Sequence, residues 1–306
     1  MRYLKLVTIC FLFLSPALAC GGIDADDLPG ATTWYVHVDF REMQSSTAGK
    51  SLWDWLDGEV FDEIRDDAAI DIAAEVDRVT AYATDENGVV FVLEGNLSQE
   101  TKDKALVAAA SAKKFDTLNF KGKTYYFVER EEDDDHDIRI DGINNEVYFS
   151  FAIKNKMIAA TSEQQLHAML ANGGKITGSK SHNGALFILT AEKSLIQAGL
   201  DTEGFDEEEG GFKSNILRNT NHAAILVADI AGNIVVEAQL TTEEPEMAES
   251  LASIVRGLVA IAAFSDDMDP NVSAALRSTK VIVKDNKLKV SVTVSPEIIK
   301  AAMDEA

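Results

Sequence analysis

Stretches in which apolar residues occupy every second position recur along the chain, and turn residues separate them into pairs. The first clear pair covers residues 79–84 and 89–94, and the Asn87-Gly88 dipeptide between them suits the positive φ angles of a hairpin turn. Ser98 follows at the start of a stretch with helical spacing, where serine is a favoured N-cap. This pattern predicts a β-hairpin followed directly by a capped helix.

The same hairpin–helix unit is predicted three more times. The strands of these later units cover residues 147–153 with 157–160, 224–230 with 234–240, and 279–283 with 288–293. Thr161 with Gln164, and Thr241 with Glu244, have the spacing of capping boxes at the starts of the second and third helices. The units recur at uneven intervals, so they indicate an internal repeat of one supersecondary unit rather than a solenoid.

Single elements are predicted between these units. They are a strand at 34–40, a helix near 51–65, a strand pair within 117–128, and a strand at 185–190 followed by a helix from 191. In the helix near 51–65 the apolar residues at 52, 55, 56 and 60 form one stripe, which places Trp53 off the buried face.

These elements predict an α+β fold made of two similar halves, each a mainly antiparallel sheet with helices packed on one face. The N-terminal half is predicted to cover residues 31–172 and the C-terminal half residues 184–306. Residues 173–183 between them are rich in Gly, Ser and Lys and are predicted to form a linker.

The N-terminus has the features of a secretory signal peptide. Arg2 and Lys5 precede an apolar run at 6–14, and the small residues Ala17 and Ala19 stand at the −3 and −1 positions of a cleavage site. The apolar run is too short to span a bilayer, which takes about 20 residues. Residues 1–19 are therefore predicted to direct export and to be removed.

The residue after that cleavage site is Cys20, and two interpretations of it stay open. Ala17-Leu18-Ala19-Cys20 resembles the lipobox of bacterial lipoproteins, in which the cysteine sulfur receives a diacylglycerol, although lipoboxes prefer Leu at −3 and a small residue at −2. The alternative is an ordinary signal-peptidase site and a free exported protein. The other cysteine of the chain lies in the leader, and an unpaired thiol is unusual in an oxidising compartment. Residues 20–30 are polar and flexible enough to form a tether.

The charge balance narrows the range of partners. The chain has 28 basic and 51 acidic residues, a formal net charge of −23. Such a surface repels nucleic acid and anionic lipid headgroups. We therefore expect no nucleic-acid partner and membrane association only through a lipid on Cys20, with the protein in the periplasm or cell envelope, lipid-anchored or free.

No motif in the sequence indicates a catalytic, cofactor or zinc site. A Gly-x-Ser-x-Gly pentad and a dinucleotide fingerprint are absent, and the glycines, serine and lysines of 173–180 are in the wrong order for a phosphate-binding loop. The histidines do not have a zinc-ligand spacing. Since His37 alternates with Val36 and Val38, it is predicted to face solvent on its strand, and His167 is predicted to lie on a helix surface.

The densest acidic segment, at 129–137, is a weak candidate for metal binding. Asp133, Asp135 and Asp137 occupy positions 1, 3 and 5 of an EF-hand loop. Ile138 stands where the loop needs glycine, and Asn144 where it needs the bidentate glutamate, so the EF-hand interpretation fails. A looser calcium site at these three aspartates and a solvated acidic loop are the remaining interpretations.

A leader followed by repeated hairpin–helix units in two acidic halves resembles exported bacterial α+β proteins of unknown function. The leading hypothesis is a non-enzymatic exported or envelope-associated protein that contacts an unknown protein or small ligand on a sheet face or at the cleft between the halves. One alternative is an exported hydrolase whose site is assembled from scattered carboxylates and histidines. Another is a weak calcium-responsive acidic module. The oligomeric state is left open.

Overall fold

Alternating strands dominate the part of the chain that the structure describes. The computed structural model describes residues 32–61, 71–84, 88–129, 145–176, 184–196, 220–263, 270–296 and 298. The strands within these ranges are β1 Thr32–Asp39, β2 Val76–Thr84, β3 Gly88–Gly95, β4 Lys114–Phe120, β5 Lys123–Glu129, β6 Glu146–Ser150, β7 Lys156–Ala160, β8 Ala185–Glu192, β9 Thr220–Ile230, β10 Asn233–Thr242, β11 Lys280–Lys284 and β12 Lys287–Val294.

These strands form one sheet in the order β11-β12-β10-β9-β8-β1-β2-β3-β7-β6-β5-β4. Every neighbouring pair is antiparallel, and the four predicted hairpins are confirmed as β2–β3, β6–β7, β9–β10 and β11–β12. β1 pairs with β2 on one side and with β8 on the other, so the strands of the two predicted halves belong to a single sheet. The α+β class is thus confirmed.

The helices lie between the strands. They are α1 Phe40–Ser45, α2 Gly49–Leu56, α3 Ile72–Glu75, α4 Gln99–Ala110, α5 Glu163–Ala171, α6 Pro245–Ala263 and α7 Pro270–Arg277. The sequence predicts α2, α4, α5 and α6 but not α1, α3 and α7. The predicted cap of α4 is confirmed, since the Ser98 side chain accepts a hydrogen bond from the backbone N–H of Thr101. The helix expected from residue 191 begins at 193, because β8 continues to Glu192.

The helices pack on both faces of the sheet, which corrects the expectation of one covered face. Successive strand residues point to opposite faces. On the first face, Tyr82 and Val90 form a cluster with Leu166 and Leu170 of α5. On the second face, residues such as Val79 pack in another cluster, whose helical members come from α1 and α2. Both faces of the N-terminal strands carry apolar side chains, so a helix packs on each face to shield them from water.

At the C-terminal end of the sheet, the second face is covered by α6. Leu251 and Ala252 of this helix form a third cluster with Leu288 of β12, and Leu240 and Val290 pack against it. This helix therefore covers the last strands, while Leu258 and Ile261 near its end are exposed.

The two predicted capping boxes are wrong in detail. Ser162 is the N-cap of α5, and the Thr161 hydroxyl instead accepts a hydrogen bond of 2.9 Å from the backbone N–H of Val89. This contact brings Thr161 against Gly88. Glycine is required at position 88 because its φ is +83° and because a Cβ added there would be 2.2 Å from the Thr161 hydroxyl. Thr241 is still part of β10, so it cannot cap α6.

The buried face of α2 also differs from the prediction. Trp53 is buried and packs edge-on against Phe40, with ring centroids 5.9 Å apart, and against Phe61 at 5.3 Å. Trp55 is only half-buried. Leu52 and Leu56 of the predicted stripe do pack against the cluster that contains Trp53. Gly49 at the start of the helix lies close to the end of α1, and a Cβ there would be 2.3 Å from the Ser46 hydroxyl.

Candidate functional site

The sequence singled out one cysteine for lipid attachment and three aspartates for metal binding. Cys20, Asp133, Asp135 and Asp137 lie outside the described residues, so the lipid and calcium interpretations stay predictions. Within the described ranges, no group of three or more His, Cys, Asp or Glu side chains is arranged to hold a metal ion.

Two histidines are placed differently from the sequence prediction. His37 is half-buried on the first face, where its Nδ1 lies 2.8 Å from the Thr80 hydroxyl and its ring stacks on Tyr35. His167 stacks on Phe120 with centroids 3.9 Å apart and meets the edge of Tyr125 at 5.0 Å. His37 is flanked by β2 and β8, whereas His167 lies on α5, which packs on the first face of the sheet. The pattern within one strand or one helix does not reveal these neighbours.

A row of charged side chains crosses four strands beside His37. Asp39, Arg78, Glu94 and Lys156 are cross-strand neighbours on β1, β2, β3 and β7. Arg78 donates to Asp39 at 2.5 Å, and Lys156 forms an ion pair with Glu94. Asp39 also caps α1 by accepting from the backbone N–H of Glu42 at 2.8 Å.

The row is electrically balanced and has a structural role. The hydrogen bond that Arg78 donates to Asp39 raises the pKa of Arg78, so this side chain stays a cation. Because the carboxylates accept from cations or from a helix N-terminus, they are held in place as partners rather than left as free bases.

Tyrosines account for most of the displaced pKa values among the described residues. Burial raises the pKa of Tyr35 to about 12. Burial and a hydrogen bond to Glu163 raise the pKa of Tyr125 to about 12 as well. Such phenols stay protonated at neutral pH and act as hydrogen-bond donors. Neither phenol has a pKa shifted towards neutrality, the shift that is typical of acid–base catalysis.

One shallow concavity lies beside α4, and its lining comes from that helix alone. Val107 on this surface is 73% exposed. The lining residues are Gln99, Glu100, Asp103, Lys104, Val107 and Ala108. A single exposed helix face cannot enclose a small ligand in the way that typical binding pockets do.

The most unusual surface is on the second face, at the middle of the sheet. Register places Ala81, Val36, Leu189, Ile225 and Ala238 side by side on β2, β1, β8, β9 and β10. Beside this row lies a second one on the same face. We call both rows together the central strip, which comprises Trp34, Val36, Ala81, Leu189, Ala191, Ala223, Ile225 and Ala238.

The central strip is apolar throughout but is not fully covered. Ile225 is 38% exposed, and its other members are half-buried. None of them belongs to the three core clusters that the described residues form. On the opposite face of the same strands, Tyr35 and Ile188 are buried. A large apolar surface that remains accessible on central strands marks a place of contact.

The sequence contains a feature that indicates part of this surface, namely two strands in which nearly every residue is apolar. Residues 185–189 and 223–228 are nearly continuous apolar runs, which indicate strands with two apolar faces. Their position next to β1 could not be deduced, because the pairing of β1 with β8 joins distant parts of the chain.

The resemblance of this chain to known proteins is weak. No protein-family model matches the sequence, and no curated protein matches it. The chain is similar to crystal structures of TP0453. Crystal form III has 9% identity over 93% of this chain and 99% of that chain, with a TM-score of 0.44. Crystal form IV has 9% identity over 92% and 96%, with a TM-score of 0.45.

No helix within the described ranges combines the length and the apolar character that a transmembrane helix requires.

Proposed function

We propose that this protein is an exported, non-catalytic binding protein whose central strip receives an amphipathic helix of a partner protein. The observation that supports this proposal is an uncharged surface on the middle strands of the sheet that stays partly exposed. Burying such a surface releases about 25 cal/mol for each Å² of apolar area removed from water.

The neighbouring cover of the same face favours a helical partner. α1 and α2 pack beside the strip over Val38 and Val227, and α6 packs at the far strands over Leu240. The strip spans five strands, about 19 Å at the usual spacing of about 4.8 Å. A helix with its side chains is about 10 Å across. The small side chains of Ala81, Ala223 and Ala238 let a helix approach the sheet closely.

Trp34 and Ile225 are the expected anchors of this contact. They are the large residues of the strip on β1 and β9, and half-exposed aromatic side chains supply much of the energy of protein interfaces. The high negative charge of the chain disfavours nucleic acid and anionic membranes as alternatives.

The predicted leader supports export, and a lipid on Cys20 would keep the folded body close to a membrane, on the tether formed by 20–30. Intact mass and lipid analysis of the mature protein test this part. We expect a chain that begins at Cys20 and carries diacylglycerol. A lipid-free chain beginning at Cys20 would contradict the lipid anchor and leave the binding proposal unaffected.

The binding proposal is tested with a neutral 18-residue amphipathic peptide of Leu, Gln and Ser, titrated calorimetrically into the mature protein. We expect Ile225→Thr to weaken binding about fivefold, the equivalent of about 1 kcal/mol of lost apolar contact. Ile225→Asp places a charge in the strip and should abolish measurable binding.

The matched control is Ile282→Thr, since Ile282 is also an exposed isoleucine on a strand but lies on the first face. Its affinity should equal that of the unaltered protein. A scrambled peptide of the same composition, without an apolar face, should not bind. Absence of binding by the amphipathic peptide, or equal binding by Ile225→Asp, would contradict the proposal.

A further inference from the structure

The C-terminal edge of the sheet carries a second surface, on the opposite face from the central strip. β11 ends the strand order, so its outer side has no neighbouring strand among the described residues. Such an edge presents unpaired backbone N–H and C=O groups that can pair with an added strand. An exposed edge is therefore a place where an extended peptide can join the sheet.

The side chains of β11 on the first face form a regular pattern. Lys280, Ile282 and Lys284 alternate with residues that face α6, and all three are exposed, Ile282 by 53%. Neither lysine takes part in an ion pair with another described residue. In contrast, Lys289 on the adjoining strand is paired with Glu237 at 2.7 Å. Two unpaired cations therefore flank an exposed apolar side chain.

The backbone of β11 offers its outward groups at the positions between these side chains. The Val281 carbonyl accepts a hydrogen bond of 3.2 Å from Nη2 of Arg256, a side chain of α6. This contact shows that the polar backbone groups of Val281 point away from β12. Val283 shares their direction because backbone groups alternate along an antiparallel strand. Arg256 adds a third cation at the same edge.

The other edge of the sheet lacks this arrangement. On β4, Lys114 is 3.4 Å from Asp116, and the neighbouring Lys113 is paired with Glu129. Its positive charges are thus balanced within the chain. The basic edge of β11 is the exception in a chain with a net charge of −23, and it is complementary to a negative partner.

We propose that the β11 edge binds an extended acidic segment of a partner protein by strand addition, with two carboxylates four residues apart and an apolar residue midway between them. Each carboxylate would face Lys280 or Lys284, and the apolar side chain would cover Ile282. Directly opposite residues on neighbouring strands lie about 5 Å apart, which allows these pairs to form.

The test uses the peptide acetyl-Gly-Asp-Thr-Ile-Thr-Asp-Gly-amide, titrated into ¹⁵N-labelled mature protein and followed by NMR. Its core is the same in both chain directions, so it fits parallel or antiparallel addition. We expect millimolar binding, with the largest amide shifts at residues 280–284. Lys280→Gln with Lys284→Gln should raise Kd at least fivefold.

Two controls separate strand addition from general attraction to a positive charge. A peptide with the core Thr-Asp-Ile-Asp-Thr has the same composition, but its acids are two residues apart and cannot face both lysines, so it should bind at least fivefold more weakly. Lys154→Gln with Lys175→Gln removes the same charge from two other exposed lysines and should change Kd less than twofold.

Three results would overturn the proposal: no binding of the first peptide, equal binding of the two peptides, or equal effects of the two lysine pairs. Because this edge and the central strip lie on different faces, failure of either proposal leaves the other intact. The helical peptide tests the central strip and Ile225, whereas the acidic peptide tests β11.

Discussion

Glu75, the last residue of α3, links this helix to the start of α4 through its carboxylate. Its carboxylate accepts hydrogen bonds from the backbone N–H of Ser98 and the hydroxyl of Thr101, both at 3.0 Å, at the start of α4. Partial burial acts to raise its pKa, but these hydrogen bonds outweigh burial and lower the pKa below its ordinary value of 4.5. A lowered folded pKa stabilises the protein above the unfolded value, and this contribution is lost as the pH falls through the folded pKa.

We therefore expect Glu75→Gln to reduce the free energy of unfolding by about 1 kcal/mol at pH 7. The difference from the unaltered protein should shrink as the pH is lowered below 4.5. Urea unfolding at pH 7 and at acid pH measures both quantities. The control is Glu100→Gln in α4. Glu100 is an exposed partner of Lys104, so this change should have little effect on the free energy of unfolding at either pH.

Trp53 provides a residue-scale test of the orientation of α2. Its ring is buried between Phe40 and Phe61, whereas Trp55 is half-buried and outside the described clusters. Trp53→Ala should reduce the free energy of unfolding by about 3 kcal/mol because it leaves a cavity in the core. Trp55→Ala should cost less than about 1 kcal/mol. Denaturant titrations followed by circular dichroism measure both losses. A larger loss for Trp55→Ala than for Trp53→Ala would support the buried stripe predicted from the sequence instead.

At the scale of elements, α6 is attached to the sheet unevenly. Leu251 is 6% exposed and contacts the cluster with Leu288, whereas Ile261 near the helix end is 74% exposed. The first half of the helix thus packs on the sheet, whereas Ala263 at its end is buried beside α7, where the Ser273 hydroxyl donates to its carbonyl.

Leu251→Ala should lower the free energy of unfolding by about 3 kcal/mol, while Ile261→Ala should change it by less than about 0.5 kcal/mol. Alanine has a higher helix propensity than isoleucine, so the second change is expected to be neutral or slightly stabilising. Thermal unfolding of both variants measures the difference. Equal destabilisation would show that the end of α6 is packed in solution.

On the scale of the whole molecule, the two predicted halves interlock. The first cluster joins Tyr82 of the N-terminal strands to Leu226 of the C-terminal strands. On the second face, Leu186 and Ile234 pack in the same cluster as Phe40. The Asp229 carboxylate also accepts a hydrogen bond of 2.9 Å from the backbone N–H of Ala48.

We therefore expect the sheet to unfold in one cooperative transition. Tryptophan fluorescence reports the N-terminal strands and helices, because the three tryptophans are at 34, 53 and 55, whereas circular dichroism reports all strands. Their midpoints in urea should coincide, and Ile188→Ala, at the junction of β1 and β8, should lower both together. Two separate midpoints would support independent halves divided at 173–183.

Local patterns determined the four hairpins, the cap at Ser98 and the α+β class. These features depend on alternation, turn residues and capping groups that act over a few neighbouring positions, so a single sequence contains them. The predicted leader and the charge likewise depend on the sequence alone, and they favour an exported protein without a nucleic-acid partner.

Only the tertiary structure decided which strands became neighbours. The pairing of β1 with β8 merges the strands into one sheet and brings Val36, Leu189 and Ile225 together, while the pairing of β1 with β2 places the half-buried His37 beside Thr80. The place of β11 at the end of the order likewise exposes its two lysines. The alternation of side chains predicts which residues share a face of one strand. It does not predict the register between distant strands, because that register depends on the packing of the whole sheet.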